Sequence, residues 1–510
     1  MDQSGQHDIS PTGDFGSRVK SAVFWRSGTQ ILAQVISWGV TLAVVRILDP
    51  SDYGLYAMTS VVLTFLNFLN GYGFASALIQ QEKLEPIRIR QAFGMLILVN
   101  AALALIQLTI VAPAAAAYYR ESMVADMLRW QSLIYLSTPF LVLPEAMMSR
   151  KLEFKKPAIV NLSVAIFSAA VALGLALAGW GVWTLVFAPI AGFWARAIVL
   201  MIVTRFWVIP SFNFKGAWSV FSFGGLMLLS QGFFIVQSQS DIFIAGRFFD
   251  NHQMGIYAQA LFLTQLFATK FVPPLNEVAF PAYARLQNDR SALSYSFIKA
   301  VRLIMLITCP LYIGMAATAH PFVDTLLGPK WTEAAPLIMV MALAMPIMTL
   351  QILFHPILNA IGLPHISIRT PIAGAIIMPV IWIFAVPYGA MGLSVGWLIA
   401  LPLLLTFTIY NARGHVGFEL RELAKAVMPG LGAAIIMGLA VTLFDRVVIG
   451  NFAGHIWPPL HLAILSAVGA GVYIGLCWFF SRETCLEVLR VLRRRAPEPI
   501  TPGAAQTDSA

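Results

Sequence analysis

Charged side chains are scarce in this sequence. Only 11% of its 510 residues are Asp, Glu, Lys or Arg, whereas about 25% is usual in soluble domains, and 58% are hydrophobic. A soluble chain of this length would need far more polar side chains to cover its surface. The 33 Lys and Arg stand in short clusters between apolar stretches, as in the loops of membrane proteins. The composition therefore indicates a membrane protein and excludes a soluble enzyme or a nucleic-acid-binding domain.

Motifs of catalysis and metal binding are also lacking. The three cysteines, Cys309, Cys477 and Cys485, form no CxxC motif and no disulfide framework. The sequence has no GxxxxGKS/T loop and no HExxH motif, and its eight histidines lack ligand spacing. One GxSxG match surrounds Ser394, but it lies in an apolar stretch, where small residues favour helix packing. We therefore expect no enzyme activity, no catalytic residue, no metal and no cofactor.

Long apolar runs occupy most of the chain. A transmembrane helix needs about 20 mostly apolar residues, and fourteen runs meet this need, which predicts an all-α polytopic membrane protein. The first run is too long for a signal peptide and is expected to be a retained span. The predicted spans are 21–48, 54–79, 91–118, 128–149, 157–179, 181–204, 217–246, 254–283, 296–319, 334–361, 366–387, 389–410, 426–446 and 458–480.

The distribution of basic residues predicts the orientation of these spans. With the N-terminus inside, 24 of the 33 Lys and Arg lie in or next to inner loops and only 6 in or next to outer loops. Basic residues collect on the cytoplasmic side of membrane proteins. We expect a multi-pass protein of the bacterial inner membrane with both termini in the cytoplasm.

A short segment occurs twice. RILDPSDYGLYA at 46–57 and RFFDNHQMGIYA at 247–258 share Arg, Asp, Gly, Tyr and Ala at a constant offset of 201. Six predicted spans separate the copies, so both have the same orientation. This predicts two parallel six-helix lobes plus two accessory helices, an arrangement typical of secondary transporters. The predicted divisions are a cytoplasmic tail at 1–20, an N-lobe at 21–208, a C-lobe at 209–412, accessory helices at 413–480, and a cytoplasmic amphipathic and disordered tail at 481–510.

Several motifs resemble one transporter family. They are LDPSDYGLYA at 48–57, RKLEFKK at 150–156, GWGVWTLV at 179–186, FPAYARLQND at 280–289 and LLGPKWTEAAP at 326–336. In this order and spacing they resemble the Wzx-type polysaccharide flippases of the MOP exporter superfamily, in particular the branch of colanic and teichuronic acid exporters. The resemblance covers about residues 20 to 480.

The resemblance implies a fold and a function. It implies a MATE-like fold of two lobes around a central cavity, which moves undecaprenyl-pyrophosphate-linked oligosaccharide units outward for exopolysaccharide or lipopolysaccharide synthesis by alternating access. The implied partners are that lipid-linked oligosaccharide, the membrane lipids, and the polysaccharide polymerase and export machinery, without nucleic acid.

Polar residues inside the spans are the candidate binding residues, because each is costly in hydrocarbon. Arg26, Gln30 and Gln34 recur every four residues and form one polar stripe along the first span. Arg26 either snorkels to the inner headgroups or captures the pyrophosphate. A second stripe in the seventh span contains Gln237 and Asp241, where Asp241 either pairs with Arg247, couples transport to an ion, or accepts sugar hydroxyls.

The eighth span carries a lysine near its middle. Lys270 either binds the pyrophosphate or acidic sugars, or pairs with Glu277 on the same helix face or with a neighbouring helix. Glu277 lies nearer the cytoplasmic side. Together these seven residues form the predicted substrate cavity.

Other functions share parts of this pattern. A cation-coupled multidrug or small-molecule antiporter of the same superfamily would have the same fold, and a peptidoglycan-precursor flippase would differ in its glycan. A membrane glycosyltransferase or polymerase would need a large outer loop or catalytic carboxylates in loops, and the predicted outer loops are short. The sequence leaves open the glycan, the coupling ion and the oligomeric state.

Overall fold

A computed structural model describes residues 12–70, 85–150, 155–214, 218–450 and 456–480. Within these ranges every regular element is helical. The first half of the chain forms α1 (Thr12–Ile47), α2 (Pro50–Phe68), α3 (Pro86–Ile106), a π-helical segment (Gln107–Val111), α4 (Ala112–Tyr119), α5 (Ser122–Gln131), α6 (Leu133–Arg150), α7 (Lys155–Leu177) and α8 (Trp183–Thr204).

The second half continues in the same way. Its elements are α9 (Trp218–Phe248), α10 (Asn251–Arg285), α11 (Arg290–Ala317), α12 (Ala319–Leu326), a 3-10 turn (Pro329–Trp331), α13 (Ala334–Ile352), α14 (Phe354–Ala360), α15 (Pro364–Ala385), a 3-10 turn (Val386–Tyr388), α16 (Gly389–Val416), α17 (Leu420–Phe444), a π-helical segment (Asp445–Ile449) and α18 (Pro458–Phe480).

These helices suit a membrane. Among the described residues, nine helical stretches are long and apolar enough to cross a bilayer, and one of them, 364–416, contains two predicted spans. Backbone polar groups cannot be left unpaired in hydrocarbon, which is why apolar segments of this length fold as helices. The predicted all-α polytopic membrane fold is confirmed.

Several predicted spans differ from the helices in their boundaries. The span at 128–149 is divided between α5 and α6 by Ser132, and α6 retains Pro139 and Pro144 in its interior. The span at 334–361 breaks at Leu353, between α13 and α14. The span at 54–79 is helical only to Phe68 within the described residues. A hydropathy pattern detects the apolar run and does not detect such local breaks.

Some predictions fall outside the described ranges. The C-terminal tail at 481–510, most of the N-terminal tail at 1–20, the end of the second span at 71–79 and the centre of the RKLEFKK loop lie there.

The described chain divides into two compact units. The first comprises Met1–Leu263, Val323–Ile338 and Ile368–Leu404, and the second comprises Thr264–Phe322, Met339–Ser367 and Leu405–Ala510. In the first unit, α3, α6 and the start of the loop after α8 pack through the edge-to-face rings of Phe93, Phe140 and Phe206. In lipid such packing contacts, rather than the release of water, hold helices together.

The second unit has a large apolar core of its own. Phe297, Phe354 and Phe418 pack in it with their rings tilted against one another and are almost wholly buried. Helix α17 packs along α11, where a Cβ on Gly430 would come within 3.2 Å of the α11 backbone at Leu306. A larger residue than glycine at this position would require α11 to shift by a few tenths of an ångström.

Candidate functional site

The two copies of the repeated segment meet in the first unit. Gly54 in the first turns of α2 lies against the backbone of Asn251, and Gly255 in the first turns of α10 lies against the backbone of Pro50. A Cβ at either glycine would overlap the carbonyl oxygen of the opposite helix. The relation is reciprocal, since Gly54 and Pro50 correspond to Gly255 and Asn251 at the offset of 201. We call the end of the first unit that carries Asp49 and Asp250 the Asp49 end.

Arg46 and Arg247, the arginines of the two repeat copies, make equivalent contacts. Arg46 donates from Nε to the carbonyl of Leu326 at 3.2 Å and from its terminal nitrogen to the carbonyl of Thr325, at the end of α12. Arg247 donates to the carbonyls of Ala117 and Tyr118, at the end of α4. The last carbonyls of a helix have no partner within it and carry partial negative charge, so a guanidinium stabilises them. Each arginine thus joins the end of its own helix to the end of another.

Further polar contacts surround α1 at the Asp49 end. The ammonium of Lys330 lies 2.8 Å from Asp49 Oδ1 and also donates to the carbonyl of Ile47 at 3.1 Å. The indole of Trp331 is fully buried and donates to the carbonyl of Val45 at 3.0 Å. The 3-10 turn Pro329–Trp331 therefore holds the last turn of α1.

The second copy of the repeat has its own contacts. Asn251 donates from Nδ2 to Glu121 Oε2 at 3.0 Å, and His252 Nε2 lies 3.3 Å from Glu333 Oε2. We call Arg46, Asp49 and Lys330, together with Arg247, Asn251 and Glu121, the polar clamp.

Asp241 is a buried carboxylate of the first unit. Its side chain on α9 is 1% exposed, and its Oδ2 accepts a 2.9 Å hydrogen bond from the hydroxyl of Tyr257. That hydroxyl in turn accepts a 3.2 Å hydrogen bond from Trp397 Nε1. Asp241 Oδ1 has no hydrogen-bond partner among the described residues. A buried carboxylate with one bare oxygen is costly in a low-dielectric interior unless it takes up a proton or a cation.

The expected alternative pairing of Asp241 does not occur. Arg247 is occupied by the carbonyls at the end of α4 and by the ring of Tyr118, whose centroid is 5.6 Å from its guanidinium carbon. Asp241 is held by Tyr257, one of the five identities of the repeat, and by Trp397 behind it.

The remaining first-unit candidates occupy α1 and α9. Gln30 is exposed on α1 and Gln34 is half-buried, while the side chain of Arg26 lies outside the described residues. Gln237, one turn before Asp241, packs against Gly374 of α15, where a Cβ would approach its amide carbon to 2.5 Å. Its Oε1 has no partner among the described residues. The structure thus brings Gln237 and Asp241 onto one face of α9.

Lys270 and Glu277 belong to the second unit. Both are exposed on α10, and no ion pair joins them within the described part of the chain. The interior prolines Pro273 and Pro274 lie between them. The alternative of a buried Lys270–Glu277 pair does not occur.

Sequence reasoning missed two groups of interacting polar side chains. In the first, Arg196 forms a 2.6 Å ion pair with Glu145. A second group is His355, which lies between Ser367 Oγ at 2.7 Å and Asn359 Nδ2 at 3.0 Å in the second unit. A charge of each sign in two apolar spans was the only available signal for the first pair, and the histidine gave none.

Two solved structures share the fold. The lipid II flippase MurJ in its inward closed conformation superposes with a TM-score of 0.72 over 91% of this chain and 100% of its own, at 13% identity. An inward-facing multidrug resistance MATE family transporter of the MOP superfamily gives 0.59 over 75% of this chain and 94% of its own, at 11% identity.

Three curated proteins are similar in sequence. The succinoglycan biosynthesis transport protein ExoT of Rhizobium meliloti (strain 1021) is 26% identical over 94% of this chain and 97% of its own. The teichuronic acid biosynthesis protein TuaB of Bacillus subtilis (strain 168) is 23% identical over 57% of this chain and 60% of its own. The lipopolysaccharide biosynthesis protein WzxC of Escherichia coli (strain K12) is 22% identical over 60% and 63%.

The family match covers more than half of the chain. It spans residues 43–336, which include both copies of the repeat, the polar clamp and four of the seven candidate residues. The chain therefore belongs to the family of polysaccharide biosynthesis proteins.

Proposed function

We propose that this protein is a flippase that moves undecaprenyl-pyrophosphate-linked oligosaccharide units across the bacterial inner membrane for exopolysaccharide or lipopolysaccharide synthesis. The observation that carries this proposal is the reciprocal contact of the repeated segments at the Asp49 end. Two like elements that close one end of a transporter can separate as rigid bodies, which alternating access requires. Similarity to the transport protein ExoT along nearly the whole chain supports the same function.

The proposed orientation places the Asp49 end outside. It rests on the excess of basic residues in the predicted inner loops, and it leaves both termini in the cytoplasm. In this orientation the polar clamp is an outer gate. While this gate is closed, the substrate enters from the cytoplasmic side, between the predicted lobes at 21–208 and 209–412.

The candidate residues take distinct parts in substrate binding. Lys270, which is exposed and free of an ion pair within the described residues, attracts the pyrophosphate together with Arg26. The amides of Gln30, Gln34 and Gln237 suit sugar hydroxyls, because they both donate and accept hydrogen bonds. Glu277 sets the charge near the cytoplasmic side of the cavity. The polyprenyl tail remains in lipid.

Asp241 is the proposed coupling carboxylate. Only a ligand that binds the two states unequally can shift the balance between them. Protonation of the buried Asp241 changes the charge behind Tyr257, whose helix α10 begins at the outer gate. We propose that loss or gain of this proton biases the gate.

A cation-coupled multidrug or small-molecule antiporter is the second candidate. The buried Asp241 favours it, because such transporters need an acidic group that binds the ion. Membership of the polysaccharide biosynthesis family favours the flippase. The polysaccharide polymerase and export machinery are proposed partners.

Lipid analysis of cells that lack the gene tests the proposal. We expect the complete lipid-linked repeat unit to accumulate in the cytoplasmic leaflet. Wild type and Lys425→Ala, which removes an exposed lysine of α17, should restore export, whereas Lys270→Ala and Asp241→Ala should not. Normal lipid-linked intermediates and unchanged surface polysaccharide in the deletion strain would refute the flippase and favour small-molecule export.

A further inference from the structure

A concave apolar groove lies between the end of α15 and the start of α16. The 3-10 turn Val386–Tyr388 joins the two helices, and the groove between them has a volume of about 540 Å³. Its lining includes Ile381, Phe384, Tyr388, Met391, Val395 and Ile399. All of these residues belong to the first unit.

Two glycines bring the helices together at the floor of this groove. A Cβ on Gly396 would come within 2.7 Å of the Trp382 ring, and one on Gly392 would come within 2.6 Å of the Tyr388 Cβ. The hydroxyl of Ser394 turns away into its own helix and donates to the carbonyl of Ala390 at 2.9 Å. The lining of the groove is therefore apolar apart from the hydroxyl of Tyr388.

The groove opens toward lipid. Phe384 is 74% exposed, Tyr388 78% and Ile399 51%, and they lie in a stretch long and apolar enough to cross a membrane. Residues 381–399 contain no charged side chain. Exposed apolar surface at this depth contacts hydrocarbon rather than water.

The length of the groove fits one leaflet. From Tyr388 to Ile399 the helical rise amounts to about 16 Å, and half of a hydrocarbon core is about 15 Å thick. Tyr388 at the upper end suits the membrane interface, where tyrosines concentrate. The groove thus runs from the headgroup level to the middle of the bilayer, as a single acyl chain does.

The lack of charged side chains at the Tyr388 end of the groove indicates which kind of lipid headgroup can lie there. Beside Gly389, the neighbouring polar group is the neutral amide Nε2 of Gln253, 3.1 Å from where a Cβ would lie. A pyrophosphate would need Lys or Arg at this point to balance its net negative charge, whereas a zwitterionic headgroup carries its own ammonium beside the phosphate. The uncharged segment 381–399 supplies neither.

We propose that this groove binds an acyl chain of a zwitterionic phospholipid of the outer leaflet, such as phosphatidylethanolamine; the choice of leaflet rests on the orientation in the proposed function. Behind the groove, against its lining residue Gly396, lies the buried Trp382, whose ring centroid is 5.0 Å from that of Trp397. Trp397 donates to Tyr257, which holds Asp241. A bound chain therefore keeps α15 and α16 packed around the tryptophan pair that supports the buried carboxylate.

Photo-crosslinking in nanodiscs tests the site. The full-length protein is reconstituted with phosphatidylethanolamine that carries a diazirine on its acyl chain, and crosslinked peptides are mapped by mass spectrometry. Label should concentrate on 381–399, and unlabelled phosphatidylethanolamine should compete for it. Val395→Trp fills the groove and should lower labelling at least about fivefold, because an added large side chain leaves no space for the chain. Ile383→Trp, at similar depth on α15 but outside the lining, should not.

Two results would overturn the proposal. Equal labelling of all lipid-facing helices, unchanged by Val395→Trp, would mean ordinary surrounding lipid. Competition by undecaprenyl phosphate but not by phosphatidylethanolamine would mean a polyprenyl site. Should Val395→Trp not fold, Met391→Trp provides the same comparison. The experiment needs no transport, so its outcome is independent of whether the protein is a flippase.

Discussion

Gly54 and Gly255 lie 201 residues apart in the sequence, yet each occupies the position where the helix of the other leaves no space for a Cβ. The contact joins the first turns of α2 and α10 with backbone against backbone. Such a contact depends on shape alone and has no side chain that could adjust. The contact forms when the two helices are together and is lost when they move apart. A larger residue at either position should therefore strongly disfavour the contact.

Gly54→Ala or Gly255→Ala should open the Asp49 end. The added methyl group overlaps a carbonyl oxygen, and overpacking of this kind costs about 1–3 kcal/mol. Hydrogen–deuterium exchange should therefore increase in the first turns of α2 and α10. Gly28→Ala is the matched control, since a Cβ there would meet nothing within 4 Å. Exchange that is no faster in Gly54→Ala or Gly255→Ala than in Gly28→Ala would contradict the proposed gate.

Arg46→Ala and Arg247→Ala should each loosen the polar clamp. Removal of a guanidinium leaves helix-end carbonyls without a donor, and hydrogen bonds to charged groups contribute about 1.5–3 kcal/mol. We expect a lower thermal unfolding temperature and faster exchange at the end of α12 or α4, respectively. Arg129→Ala breaks only an exposed i,i+3 pair with Asp126 and should change stability by less than about 1 kcal/mol. An effect of Arg129→Ala as large as the others would refute the assignment.

The coupling energy between Glu145 and Arg196 should be measurable in a double-mutant cycle. Glu145→Gln and Arg196→Gln each leave a partly enclosed charge without its partner, which should cost about 1–3 kcal/mol, somewhat less than for a fully buried pair. The double variant Glu145→Gln with Arg196→Gln should lose less stability than the sum of the two single losses, which is the coupling that a double-mutant cycle measures. Strictly additive losses in thermal unfolding would show that the 2.6 Å contact contributes no coupling.

The sequence predicted local features well. The five identities between 46–57 and 247–258 placed two similar helix starts, and the structure brings these starts together. Helical spans were predictable because the need for an apolar surface and paired backbone groups acts along each segment by itself. Asp241 was recognised because a carboxylate inside an apolar run is costly wherever it lies.

Contacts between segments far apart in the sequence could not be predicted from the sequence alone. Lys330 reaches Asp49 across 281 residues, and Trp397 reaches Tyr257 across 140. Helices in lipid associate through shape and scattered hydrogen bonds, which leave no periodic signal in the sequence. The sequence therefore offered Arg247 as one possible partner of Asp241, whereas in the structure Arg247 binds the end of α4 and Asp241 binds Tyr257.

Asp241→Asn should uncouple transport from the proton gradient. The amide has a similar shape but cannot lose a proton, so flipping should no longer depend on an imposed pH difference across proteoliposomes. Tyr257→Phe removes the hydrogen bond to Oδ2 and should shift the pH dependence without abolishing it. Ser394→Ala, a buried hydroxyl of α16 that bonds only to its own helix, is the control. A pH response that survives Asp241→Asn would exclude this carboxylate as the coupling group.

The most direct test of the flippase function uses purified protein in liposomes that carry the lipid-linked repeat unit in the inner leaflet. The appearance of the glycan outside is followed with a membrane-impermeant glycosidase. The account predicts that wild type and Lys425→Ala expose the glycan over time. Lys270→Ala should be slower by about tenfold or more, because a lost charge-assisted contact to pyrophosphate is worth at least about 1.4 kcal/mol. Exposure no faster than in protein-free liposomes would contradict the account.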